Sequence, residues 1–132
     1  MKIGELARLS GLSGYAIRYY EQIGLLPRAS RDRAGRRDYD HDILQWIEFL
    51  GRLKATGMPT REMLAYARLR AAGDATIAER RALLDAHRAA VRRRVDALQA
   101  CLAALDAKIV GYDARLEEER HEQRAEKRKR KT

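Results

Sequence analysis

The sequence predicts a mostly α-helical chain with one small β-hairpin, and three observations carry that prediction. Ile3, Leu6, Ala7 and Leu9 recur at helical spacing until Ser10-Gly11-Leu12-Ser13 breaks the run. Between Pro27 and Tyr39 the composition turns abruptly to arginine around Gly35, the composition of a charged hairpin. From residue 91 to 116 apolar residues hold a strict seven-residue repeat. Together these give a winged helix-turn-helix front and one long coiled-coil dimerisation helix behind it.

The front is expected to span residues 1–75. Ser13 is placed to cap a second helix that turns Ile17 inward and Tyr15, Arg18 and Tyr19 outward. Gly11 suits a tight turn, and the small Ala7 lets the two helices cross closely. Leu25-Leu26-Pro27 is expected to end the second helix. Arg28, Arg31, Arg33, Arg36 and Arg37 then stand against Asp32 and Asp38, with Tyr39 at the end of the return strand. A strand pair tipped with arginine is a wing that can lie along a phosphate backbone or enter a minor groove. A solvated charged loop is the other reading of the same residues.

Asp40 is expected to cap a third helix, with Asp42 in its first turn where the helix dipole favours an anion. Ile43, Trp46, Ile47, Leu50 and Leu53 make its buried stripe and Gly57 its stop. Arg52 and Lys54, near its end, face either DNA or solvent. Thr60 is expected to cap a fourth helix with Met63, Leu64, Tyr66 and Ala67 inward, ending near Gly73.

Thr76 and Glu79 have the spacing of a capping box, so the long helix is expected to begin there and to serve as a dimerisation helix over 76–118. Val95, Leu102, Ile109 and Leu116 occupy seam position a; Val91, Leu98, Leu105 and Tyr112 occupy d. A lone helix cannot bury such a stripe, so a homodimer follows. Upstream, Arg81 and Arg88 fall at a, where the helix is expected to pack on its own domain. The flanking charges (Arg94, Lys108 and Arg115 at g; Asp85, Asp106 and Asp113 at e) suit parallel pairing. Residues 119–132 are charged without apolar periodicity and read as a disordered tail.

Charge narrows the function. The 132-residue chain carries +9, with 13 Lys and Arg against nine Asp and Glu in residues 1–75 and five Lys and Arg with no acid in 127–132. That distribution belongs to a polyanion binder. Arg18, Tyr19 and Tyr20 offer a guanidinium fork and two phenolic donors from one helix, a means of fixing register on a phosphate backbone. The single cysteine, Cys101, excludes an internal disulfide framework and any multi-cysteine metal site, and no cofactor is implied. No stretch approaches the roughly 18 apolar residues of a membrane span, so no membrane partner and a cytoplasmic location are expected. No nucleophile–base set or phosphate-cradling glycine loop suggests an enzyme.

The order helix-turn-helix, Arg18-Tyr19-Tyr20-Glu21, Ile23-Gly24-Leu25-Leu26, arginine wing, then Gly35, Arg37, Tyr39 and Ile43 resembles the MerR family of bacterial transcription regulators. Trp46-Ile47-Glu48-Phe49 and the stretch from Leu105 to Asp113 resemble its short AdhR/NmlR-like branch, associated with aldehyde and thiol stress. The resemblance implies a dimer joined by an antiparallel coiled coil through Val91, Val95, Leu98, Leu102, Leu105, Ile109, Tyr112 and Leu116. Its recognition helices would enter successive major grooves of a palindromic double-stranded promoter spacer, which the protein bends and untwists so that RNA polymerase, acted on indirectly, engages both promoter elements. Arg18, Tyr19, Tyr20, Arg37 and Tyr39 would grip or brace phosphates, and Lys54 would add a contact. Tyr15 with its neighbours Ser13 and Ala16 would face base edges, and Arg31, Arg33 and Arg36 would clamp the flank. The branch's sensing cysteine falls at Arg52, so that route to thiol modification is absent. Cys101 reads as a packing residue, with a thiol sensor as the alternative, and metal sensing is not expected. An effector-independent DNA-bending protein is the alternative to a stress-responsive regulator.

Overall fold

A computed structural model describes residues 1–131. It contains α1 (Ile3–Ser10), α2 (Gly14–Gln22), β1 (Ser30–Arg31), β2 (Arg37–Asp38), α3 (Asp42–Ala55), α4 (Thr60–Ala71), a 3-10 turn (Asp74–Thr76) and α5 (Ile77–Lys131). The mostly helical fold with a two-stranded hairpin agrees with the sequence reading. The chain divides into two compact units, Met1–Arg88 and the remainder from Ala89.

In the first unit α1 and α2 pack through Leu6 and Ile17, both fully buried, and Leu26 joins them from the following loop. Gly11 (φ 76°) turns the chain between the helices in the left-handed region, where a Cβ would be strained. Ser13 Oγ accepts from Ala16 N–H at 3.0 Å, the expected cap of α2. The helix then ends at Gln22, earlier than expected. Gly24 (φ 88°) reverses the chain, and Leu25 and Leu26 donate their N–H groups to the Tyr20 carbonyl. Those two leucines are therefore core residues of a loop.

α3 supplies Ile43, Trp46, Leu50 and Leu53 to the core, with Ile47 half-buried beside them. Trp46 binds three neighbours. Its indole N–H donates to the Leu25 carbonyl at 2.9 Å, its ring stacks on Tyr66 of α4 at 5.7 Å, and the Arg70 guanidinium lies 4.4 Å over its face. Burial at this site, together with a satisfied polar edge, makes Trp46 worth about 3–5 kcal/mol against alanine.

Three expected caps are not made. Asp40 accepts only through its carbonyl, from Ile43 N–H, and His41 precedes α3 without a side-chain cap. Thr60 is the first residue of α4, and Pro59, which has no hydroxyl, takes the cap position. Thr76 turns its hydroxyl back to the carbonyls of Leu69 in α4 and of Gly73 just past it, at 2.5 and 2.8 Å, and accepts from Arg80 Nε at 3.1 Å. The competing acceptors were the orphan carbonyls that every helix end leaves behind.

The second unit is helical throughout its described length. Residues 119–131, expected to be disordered, continue α5. They contain no Gly or Pro, and basic residues fill the last turn, where the helix dipole favours them. Thr132 lies outside the described residues.

Candidate nucleic-acid interface

The exposed face of α2 carries Ser13, Tyr15, Arg18 and Tyr19, with Ala16 half-buried between them. Tyr15 is 75% exposed and Tyr19 48%. The Arg18 guanidinium has no hydrogen bond or ion pair among the described residues. Tyr20 sits differently. It is half-buried against the core, its ring 6.0 Å from that of Tyr19.

The wing is a hairpin of two pairs, Ser30 with Asp38 and Arg31 with Arg37. Asp32 builds its turn: Oδ1 accepts from Ala34 N–H and Arg36 N–H, both at 2.9 Å, while Lys2 Nζ approaches Oδ2 at 2.6 Å. The Lys2 bond, first among the causes, holds the Asp32 carboxyl below its ordinary value of 3.8. The terminal ammonium of Met1 reaches Asp38 Oδ1 at 2.8 Å and the Tyr39 carbonyl at 2.9 Å, so the base of the wing is stitched to the start of α1. Arg31 donates to the Gly35 carbonyl, and Arg33 and Arg36 stand exposed at the tip.

Glu21 joins wing to helix. Its carboxylate accepts from Ala29 N–H at 2.9 Å, the Tyr39 hydroxyl at 3.0 Å and Arg37 Nε at 3.2 Å. Burial pushes its pKa up, but those three donors outweigh burial and leave it below the ordinary 4.5. Tyr39 shows the reciprocal effect: burial first, then the bond to Glu21, push its hydroxyl up to about 12. The structure thus places Tyr39 in the core, 3% exposed, with its hydroxyl donated to Glu21. Beside Glu21 and Gln22 lies an open cleft lined by Arg18, Arg28, Arg31 and Arg37, four arginines to one carboxylate, of which Arg37 is bonded to it. Such a cleft presents net positive, forked donors to an anion.

Lys54 is not part of that cleft. It lines a separate groove with Leu9, Ser10 and Glu48. Arg52 is exposed and pairs with Glu48 at 3.3 Å. Cys101 is exposed. Sequence reasoning quoted Glu21 but gave it no part, and passed over Lys2. The available signal was an acid three residues after Arg18, alone between Glu5 and Asp32 in a stretch rich in arginine.

The sequence matches the MerR family regulatory protein profile over residues 2–39 and the MerR DNA-binding profile over residues 44–108. It is 35% identical over 102 residues to an uncharacterized HTH-type transcriptional regulator of Haemophilus influenzae, covering 77% of this chain and 76% of that one. The chain belongs to the MerR family. This MerR chain is also 36% identical over 84 residues to the HTH-type transcriptional regulator AdhR of Bacillus subtilis, covering 64% of its own length and 60% of AdhR. In structure it resembles a MerR family transcriptional regulator from Listeria monocytogenes (33% identity, TM-score 0.86, 98% of each chain). It also resembles HiNmlR, a MerR family regulator lacking the sensor domain, solved bound to promoter DNA (33% identity, TM-score 0.73, 85% of this chain and 89% of that one). These relatives place it in the short AdhR/NmlR-like branch, among regulators and not enzymes.

Proposed function

We propose that this MerR chain is a promoter-binding transcription regulator that acts as a homodimer in the bacterial cytoplasm. The observation that carries the reading is the pairing of an exposed α2 face with an arginine wing locked to it by Glu21. Arg18, Tyr19, Tyr20 and Arg37 fix register on phosphates, and Tyr15, with Ser13 and Ala16, meets base edges. Arg31, Arg33 and Arg36 clamp the flanking backbone, Tyr39 braces the wing from inside, and Lys54 adds a phosphate contact at the end of α3.

Val95, Leu98, Leu102, Leu105, Ile109, Tyr112 and Leu116 are 45–65% exposed in the single chain, a seam that a second antiparallel copy would cover together with Val91. Two domains held apart by paired helices suit a dyad-symmetric site, and distorting the spacer between promoter elements gives RNA polymerase access to both. HiNmlR, bound to promoter DNA without a sensor domain, supports the DNA reading, and a stress signal as trigger is what the resemblance to the AdhR/NmlR-like branch implies.

Footprinting on the promoter next to the gene tests this. A dyad-symmetric footprint between the promoter elements, with hypersensitive bases at its centre, is expected. Protection without sequence preference would replace the regulator with an architectural DNA-bending protein.

A further inference from the structure

One cavity of the first unit is lined by no residue of the wing. Residues of α1, α2, α3 and α4 wall it, all of them inside Met1–Arg88, and its volume is about 550 Å³. Leu26, Leu50 and Met63 line it from the core, Leu12 and Ile47 are half-buried at it, and Leu9 on its wall is 48% exposed. A concave, mostly apolar space of this size with a few polar groups has the make-up of a small-molecule site.

The polar groups on its wall are Ser10, Tyr20, Glu48 and Lys54. Ser10 Oγ accepts from Leu12 N–H at 3.2 Å, which leaves its own proton to donate. The Tyr20 hydroxyl and the Lys54 ammonium make no hydrogen bond or ion pair among the described residues. Glu48, the one acid, is engaged by Arg52 at 3.3 Å. Donors with unused capacity, one of them charged, thus share the wall with a carboxylate that is already paired. That inventory complements an anionic head and not a cationic one. The apolar wall selects the tail. Apart from Tyr20 it is leucine, isoleucine and methionine, with no pair of rings to sandwich a flat ligand, and a flexible chain can follow it.

Gly51 also lines the cavity. It sits inside α3, where glycine forms helix less readily than any residue except proline. A Cβ built on it meets nothing within 4 Å beyond the helix's own adjacent backbone, so no close approach within the chain requires a glycine there. A longer side chain at 51 would stand in the space a ligand needs. We propose that this cavity binds a medium-chain aliphatic carboxylate, with the chain against the leucines and the carboxylate on Lys54.

Lys54 and Tyr20 are also the side chains assigned above to DNA phosphates. A carboxylate held by Lys54 competes with a phosphate for the same ammonium, so the ligand weakens DNA binding and DNA weakens ligand binding by the same factor. This coupling rests on the DNA reading; the binding of the carboxylate does not.

Isothermal titration of the full-length protein with decanoate tests the site. One saturable site per chain is expected, roughly tenfold tighter than for decanamide, which has the same chain and no charge. Lys54→Gln should weaken decanoate by roughly tenfold and bring it level with decanamide. Gly51→Leu puts a side chain into the cavity and raises helix propensity, so it should abolish saturable binding while circular dichroism shows the helices intact. Absence of saturable binding by the unmodified protein at millimolar decanoate would overturn the proposal. Equal binding of decylammonium would hand the charge to Glu48 and overturn it too. So would a Gly51→Leu variant that binds decanoate undiminished or changes only its sedimentation, the latter marking the groove as a contact with a second copy. With promoter DNA, saturating decanoate should raise the dissociation constant of the unmodified protein by roughly fivefold or more and leave that of Lys54→Gln unmoved. An unchanged constant with decanoate bound would overturn the competition for Lys54. A protein that takes up decanoate yet binds no promoter DNA would overturn the regulator reading and not the carboxylate site.

Discussion

Glu21 is only 11% exposed, yet it is ionised, because three donors from the loop, the wing and the end of β2 converge on it. Its depressed pKa means that its contribution is complete above the ordinary value of 4.5 and is lost as pH falls through the lowered one. Tyr39 works in the opposite direction: its stabilisation is complete below pH 10 and is lost as pH rises through about 12. Glu21→Gln keeps the shape but gives up the charge, so it should cost about 1–2 kcal/mol in denaturant unfolding at pH 7. The difference from the unmodified protein should shrink as pH drops below 4.5; an undiminished difference at pH 3 would mean the charge is not what holds the wing. Arg18, which makes no hydrogen bond or ion pair among the described residues, should behave otherwise. Arg18→Ala should leave unfolding unchanged and weaken binding to all DNA sequences alike. Its affinity-versus-salt slope should become shallower by roughly one unit, and an unchanged slope would remove Arg18 from the phosphate contacts.

Where helices begin and end separates what could be read from the sequence from what could not. The Ser13 cap was legible because it is local: the residue, its acceptor geometry and the amide it serves lie within three positions. The Thr76 capping box had equally good spacing, yet the hydroxyl went to carbonyls seven and three residues back, those of Leu69 in the last turns of α4 and of Gly73 just past it. Local pattern cannot rank a cap against an orphan carbonyl that tertiary folding brings near. The wing divides the same way: its position follows from the arginine run and Gly35, whereas the Glu21 and Lys2 bonds that fix it span 8 to 30 residues. The helical tail was missed because charge without apolar periodicity looks disordered, although the stretch contains no Gly or Pro to break the helix. Thr76→Val should therefore cost about 1–2 kcal/mol, since it leaves two carbonyls and Arg80 without their shared hydroxyl, while Thr76→Ser should recover most of it. Equal losses for both variants would assign the effect to packing of the methyl group instead.

The two units of the chain depend on different things for their stability. The first has a core of its own, closed around Leu6, Ile17 and Trp46, and needs no partner to bury it. The second has no buried residue among those described, and its apolar seam is left in water. Under the dimeric reading proposed above, association with a second copy adds to helix propensity in holding this helix together. Association is a mass-action term, and its stabilisation grows with protein concentration. Helical signal and Trp46 fluorescence should therefore respond differently on heating. The transition seen in the far-ultraviolet should move upward by several degrees for each tenfold rise in concentration, as expected for a linked dimer. Trp46, held in the first unit by Leu25, Tyr66 and Arg70, should report a transition that moves much less. If the helical transition proved independent of concentration over two decades, the seam would not be an intermolecular one, and α5 would have to find its partner surface within its own chain.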